Sequence, residues 1–357
     1  MPALTYRPDW DEGRKRLAAW WEGEDIGRPA MQITAPRPEP IEIIEALPEP
    51  EGYIGCQYTT KDLPWRVNVA LRACTRTLYY AEAVPAFNSG DLAPNCLALY
   101  LGCHGVEMPG TTWCEPFIEE PTPPAFRYDP DNFYWRFSLD AYTQTIAQSR
   151  GKFLQQFPDL IEGLDTLAAM RGTERLLIDL LERPDWVQAC LRQITDLYFH
   201  YYDMLCDVVR DDMGGSYWWV WGPGRTAKFQ CDFSAMISAP MFREFMQPVL
   251  TEMTERVSCS LYHLDGPGAT QHVECLMDIP KLGMIQWTPG DGVEPCWDRH
   301  WWPMFHRILD GGKKLMIWVD GMETMRELRR EFGQSINGML ITFGVGSAEA
   351  AEEMMGG

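Results

Sequence analysis

The second half of the chain alternates apolar run, polar loop and helical pattern five times without interruption. "SYWWVW" (216–221) reads as a strand and "GPGRTAKFQCDFS" (222–234) as its loop, followed by the helical "APMFREFMQPVLTEMTERV". "CSLYHLDG" and "ATQHVECLMD" make the second unit, "LGMIQWTPGDG" and "WDRHWWPMFHRILDGG" the third. "KKLMIWVD" with "METMRELRREF", and "GMLITFGVG" with "SAEAAEEMMGG", complete the series. Parallel strands need long crossovers, which helices supply, so repeated strand–helix units imply a parallel sheet covered by helices. No G-x-G-x-x-G follows a first strand, which argues against an open dinucleotide-binding sheet. With the elements before residue 210 added, the expectation is one α/β domain over residues 1–357. It is a closed (β/α)8 TIM barrel with an N-terminal helical extension and insertions.

The first half is less regular. Residues 9–22 place Trp10, Leu17, Trp20 and Trp21 at helical spacing. "PAMQITAPRPEP" reads as a strand closed by prolines, and residues 36–60 as a Pro- and Glu-rich surface excursion. Residues 1–60 thus form an extension packed on the barrel. Residues 63–83 read as one long helix, and 135–157 as another. After Pro184, Val187, Cys190, Leu191, Ile194, Leu197, Tyr198, Tyr201 and Leu205 mark the clearest amphipathic helix. Pro184 and Asp185 suit its first turn.

Charge narrows the partners. With 31 basic and 51 acidic residues the net charge is −20, a poor match for nucleic acid or an anionic membrane. The N-terminal segment has no apolar signal region and no stretch of 18 apolar residues occurs, so the expected location is the cytoplasm. Eleven cysteines without a C-x-x-C pair read as reduced, mostly buried thiols. No H-E-x-x-H, phosphate-binding loop or G-x-S-x-G is present.

In a barrel the chemistry gathers at the C-terminal ends of the strands. That rule nominates Trp221, then Arg225, Cys231 and Asp232 in the loop after the strand at 216–221. It also nominates His263 with Asp265, then Gln286, Trp287 and Asp291, then Asp320 and the turn at 343–347. From the first half come Asn88 and Asp91 in "NSGD" and Glu115 in "WCEP". Residues i and i+2 of a strand share a face, so His263 and Asp265 can act as an acid/base pair or bind a metal together. Asp232 is the second candidate for catalysis or for an N-cap. Gln286 and Trp287 offer an amide and a stacking plane facing the same cavity, and Trp221, Asn88, Glu115 and Asp320 are further candidates for substrate binding.

Four stretches resemble the uroporphyrinogen decarboxylase-like superfamily, which includes the corrinoid (cobalamin)-linked methyltransferases. They are residues 164–187, "DFSAMISAPMFREFMQPVL" (232–250), "YHLDG" (262–266) and "MLITFGVGSAEAAEEM" (339–354); the likeness covers about 150–355. The resemblance implies a (β/α)8 barrel and a methyltransferase or demethylase acting on a small methylated substrate. It also implies a corrinoid on a partner protein and a zinc ion, with His263 matching the first metal ligand. The second expected ligand, a cysteine, is Asp265 here, and Val345 stands where a later cysteine is expected. The decarboxylase branch uses an N-terminal R-Q-A-G-R-like motif, whereas "GRPAMQITAPRP" offers Arg28 and Arg37. A metal-independent decarboxylase or lyase of a small carboxylic or aromatic substrate, and a non-catalytic ligand-binding barrel, stay open as alternatives. A homodimer is compatible with all of them.

Overall fold

Helix α1 (Trp10–Trp21) buries Trp10, Gly13, Arg14, Leu17 and Trp20, a stripe that recurs every three to four residues. The stripe meets an apolar layer built from Ala30, Leu261, Met284 and Leu340, one residue from each of four strands. Trp20 Nε1 donates to the Asn337 carbonyl at 2.8 Å. The protein is described by a computed structural model covering residues 4–54 and 62–356. Residues 55–60 of the excursion and Gly357 of the last helix therefore lie outside the described residues.

The principal sheet has seven strands: β1 (Ala30–Pro36), β2 (Thr77–Ala81), β3 (Thr226–Gln230), β4 (Cys259–Asp265), β5 (Met284–Thr288), β6 (Lys314–Trp318) and β7 (Met339–Gly344). Their order is β2-β1-β7-β6-β5-β4-β3, and every pair except the antiparallel β1–β2 is parallel. Among the described residues no ladder joins β3 back to β2, so the closed eight-stranded barrel expected from sequence is not formed by hydrogen-bonded strands. Shorter pieces stand at the open side: Ala86–Phe87 pairs with Leu154–Gln155, and Gln156 bridges to Tyr217. Pro85 and Pro158 flank these pieces; proline has no amide hydrogen to extend a ladder. No described helix is long and apolar enough to cross a membrane.

Three sequence boundaries move. The pattern over 63–83 splits into helix α2 (Leu63–Thr75) and strand β2. Asp62 caps the helix by accepting from the Trp65 amide. The helix expected over 135–157 spans Phe133–Ser149 and gives way to the short strand Leu154–Gln155. Residues 216–222 are not a single strand: Ser216–Trp218 and Val220–Gly222 form a tight antiparallel hairpin, and the sheet strand is β3, inside the segment read as its loop. "TAKFQ" escapes detection because Lys228 and Gln230 occupy its inward face. A polar inward face removes the apolar run that marks a parallel strand.

Glu82, immediately after β2, is fully buried and ties the extension to the sheet. It accepts from Arg16 Nε at 2.7 Å, from Arg28 Nη1 and Nη2 at 2.8 Å, and from the Met31 amide at 2.8 Å.

Candidate active site

The parallel register builds the site in layers. Two residues beyond the apolar layer that α1 covers, the same face carries Gln32 on β1, His263 on β4, Gln286 on β5 and Thr342 on β7. A period of two keeps i and i+2 on one face, so one step along each strand changes the lining from apolar to polar. His263 lies level with Gln230 on one side and Gln286 on the other. Asp265 ends β4, and Asp232 follows β3.

His263, Asp265 and Asp232 converge: one ligand-capable atom from each lies within 4.8 Å of the others. Gln286 fixes the state of the imidazole. Its amide nitrogen donates to the Trp287 carbonyl at 2.9 Å and to Thr288 Oγ1 at 2.8 Å, which turns its oxygen toward His263 Nδ1. Nδ1 must then carry the proton, leaving the Nε2 lone pair available. Burial, with Lys228 nearby, holds the His263 imidazole below its ordinary pKa, so it is neutral near pH 7. Asp232 keeps a solvent-exposed edge, so the protein packed around it and the adjacent Asp165 raise its carboxyl only to about 6.

A second set of residues, not nominated from sequence, supports the cluster. Lys228 is 1% exposed; its ammonium donates to Asp159 at 2.7 Å and to Gln230 at 2.6 Å, and Gln230 donates to Asp232 at 3.0 Å. Asp165, in helix α3 (Gly163–Arg171), accepts from the Asp232 and Phe233 amides at 2.8 Å and so sets the loop that presents Asp232. The Trp219 ring stands edge-on to His263, 5.1 Å between centroids, with Lys228 5.0 Å over its face. Trp219 is one of two non-glycine residues with positive φ among those described, at +62°. A bulky residue there costs on the order of 1–3 kcal/mol and is held by its surroundings. Here Gln32 Nε2 donates to the Trp219 carbonyl at 2.9 Å, while Thr342 Oγ1 donates to Gln32 at 3.3 Å.

Two cavities flank this group. One, of about 450 Å³, is lined by Tyr53, Trp65, Phe87, Asn88, Asp91, Asp159 and Trp219, among others. The other, of about 470 Å³, opens beside Gln230 and Asp232, with Asp165, Trp113 and Cys114 in its wall. Of the nominated residues, Asp232, His263, Asp265 and Gln286 come together, and Asn88 and Asp91 line the first cavity.

The others are placed elsewhere. Trp221 faces α1: it packs edge-on to Trp10 at 6.1 Å and donates to Asp211 at 2.8 Å. It lies at the opposite end of the sheet from the cluster, because the sheet strand is β3 and not the segment 216–221. Trp287 is fully buried on the opposite face of β5, 4.7 Å from the Trp301 ring, since it neighbours Gln286 directly. Glu115 is exposed at the end of a hairpin strand. Asp320 is exposed and accepts from Thr324 at the start of a helix, as turn chemistry would have it. Arg225 bonds the Arg256 carbonyl and packs over Tyr202, away from the cluster.

Glu162 lies behind β3, fully buried. Its Oε1 accepts from the Gln230 amide at 2.8 Å, and Oε2 has no hydrogen-bond partner among the described residues. Burial pushes its carboxyl well above the ordinary value. A raised folded pKa contributes stability below about 4.5 that is lost as pH climbs through the folded value. Glu162→Gln should therefore melt with a smaller change between pH 5 and pH 8 than the wild type. Its stability relative to the wild type should rise from pH 5 to pH 8. Parallel pH profiles in calorimetry would contradict the assignment.

No protein-family model matches the chain, and no curated protein matches it in sequence. Among solved structures it is similar to a methyltransferase from Methanosarcina mazei, with a TM-score of 0.56 and 12% identity. The likeness covers 94% of this chain and 93% of that one, so the two share a fold nearly from end to end.

Proposed function

We propose that the chain is a methyltransferase or demethylase acting on a small methylated substrate, with a divalent cation held by Asp232, His263 and Asp265. One observation carries the reading: three ligand-capable side chains converge at the C-terminal ends of neighbouring parallel strands β3 and β4. The fold shared with a methyltransferase supports it. We read the six parallel strands β1 and β3–β7 as part of a (β/α)8 barrel whose two remaining positions are taken by the short parallel pair Ala86–Phe87 and Leu154–Gln155.

One imidazole and two carboxylates fit a catalytic zinc site, which uses three protein ligands and keeps a position open. They do not fit a thiolate-rich zinc site, since Asp265 replaces the cysteine. When bound, the cation supplies Lewis acidity to the group that reacts. The chain's own residues do the rest. Gln286 orients the imidazole, Asp165 holds the Asp232 loop, and the buried Lys228 pairs with Asp159, which lines the first cavity. The other methyl carrier in this proposal is a corrinoid on a partner protein, a substrate whose support is the resemblance over residues 232–250.

Chain prepared without chelators should retain about one equivalent of divalent metal and exchange methyl groups with cobalamin. Full turnover after exhaustive chelation would sink the metal role and favour the metal-independent lyase.

A further inference from the structure

The first cavity has a composition that the cation cluster does not explain. Its wall combines four aromatic rings, Tyr53, Trp65, Phe87 and Trp219, with the carboxylates of Asp91 and Asp159. Two of the rings already pair, Tyr53 on Trp65 at 4.9 Å between centroids. Trp219 belongs to both places: it lines the cavity and meets His263 edge-on. Aromatic faces carry negative quadrupoles and attract cations, most strongly where water is excluded. The Trp219 face already does so, holding the Lys228 ammonium at 5.0 Å.

We infer that this cavity binds a small methylated ammonium compound, its N-methyl groups against the rings and its charge facing Asp91 and Asp159. Rings and carboxylates in one wall favour a soft, weakly hydrated cation over a neutral molecule of the same shape. Asp159 is ion-paired with the Lys228 ammonium at 2.7 Å, so the cavity carboxylate set against the cation is chiefly Asp91. Asp91 is held in place by accepting from the Asp159 amide at 2.9 Å and from Cys96 at 3.3 Å. Burial and the neighbouring Asp159 raise its carboxyl to about 7. Arg66 lines the same cavity and donates to the Asp91 carbonyl at 2.6 Å, so a compound that also bears a carboxylate meets a guanidinium there. The position of Trp219 puts the bound methyl groups next to the cluster. That this is the substrate side of a methyl transfer rests on the function proposed above; the cation site itself does not.

Tetramethylammonium chloride is the probe, with sodium chloride as ionic-strength control and 3,3-dimethylbutan-1-ol as the neutral isostere. Saturable quenching of tryptophan fluorescence by the cation, at least roughly tenfold tighter than for the alcohol, is expected. Trp219→Leu and Trp65→Leu should each weaken the cation roughly 3- to 30-fold, and Asp91→Asn should weaken the cation while leaving the alcohol unchanged. Near-ultraviolet circular dichroism shows whether each variant is folded. Equal affinity for cation and alcohol, or no saturable binding to the folded wild type, overturns the proposal. Methyl transfer from a neutral donor in the absence of cation binding would leave the function standing and this inference fallen. Cation binding without methyl transfer from any donor would do the reverse.

Discussion

Replacing His263 with alanine is expected to lower the affinity for zinc at least 100-fold and to remove methyl exchange with cobalamin. Three side chains supply one atom each, so the loss of the only nitrogen ligand leaves two carboxylates at the ends of separate strands. Loss of a partner that merely orients a metal ligand costs about 10- to 100-fold, and a ligand itself should cost no less. Gln286→Leu tests the supporting role separately. It frees His263 Nδ1, so the imidazole is no longer fixed with Nε2 unprotonated, and zinc affinity should fall about 10- to 100-fold. Trp287→Phe, one residue away on the opposite face, should leave affinity within about twofold, because Trp287 touches Trp301 and not the cluster. Competition with a chromophoric chelator measures all three. Undiminished zinc affinity in His263→Ala would remove the cluster from the mechanism.

Glu82→Ala is expected to have the largest effect on stability. The substitution leaves the Arg16 and Arg28 guanidiniums and the Met31 amide without their common acceptor. Removing one member of a buried ion pair costs about 3–5 kcal/mol. Unfolding entropy of roughly 2.1 cal/mol/K per residue over 357 residues gives about 0.75 kcal/mol per degree, so Tm should fall by about 4–7 °C. The effect has a defined pH dependence. Burial alone would raise the Glu82 carboxyl, but Arg28, Arg16 and the Met31 amide outweigh it and hold the pKa below its ordinary value. A lowered folded pKa gives stability that is present above the unfolded value and lost as pH falls through the folded one. The gap between wild type and variant should thus be full at pH 7 and narrow toward pH 3. A constant gap across that range would show that packing, not charge, makes the contribution.

Both predictions draw on contacts between residues far apart in the chain, and this is where sequence reading stopped. The alternation of apolar runs and helical patterns after residue 216 identified β4, β5, β6 and β7 and placed His263 and Asp265 at a strand end. Those elements are legible because periodicity is a local property. β3 was not legible: its inward face is Lys228 and Gln230, so it carries the polarity of a loop. Because β3 looks like a loop in sequence, the strand-end rule points to Trp221, at the opposite end of the sheet, and not to Trp219 at the hairpin tip. Gln286 and Trp287 were expected to share a cavity because both looked suited to one. The pleat of β5 sends them to opposite faces, and neighbouring strands decide which face is inside. The supporting carboxylates Asp159, Glu162 and Asp165 gave no signal at all, since a buried acid between a strand and a helix has no local pattern.

The sequence by itself determined the parallel strand–helix alternation, the amphipathic helix α1 and the pairing of His263 with Asp265, because each depends on spacings of two to four residues along one element. Only the tertiary structure decided that Asp232 and Gln286 join that pair, that Trp219 forms the wall between cluster and cavity, and that Trp221 and Trp287 do not. Those outcomes depend on register between strands, and a shift of one residue exchanges the face that lines the site for the face that packs against helices.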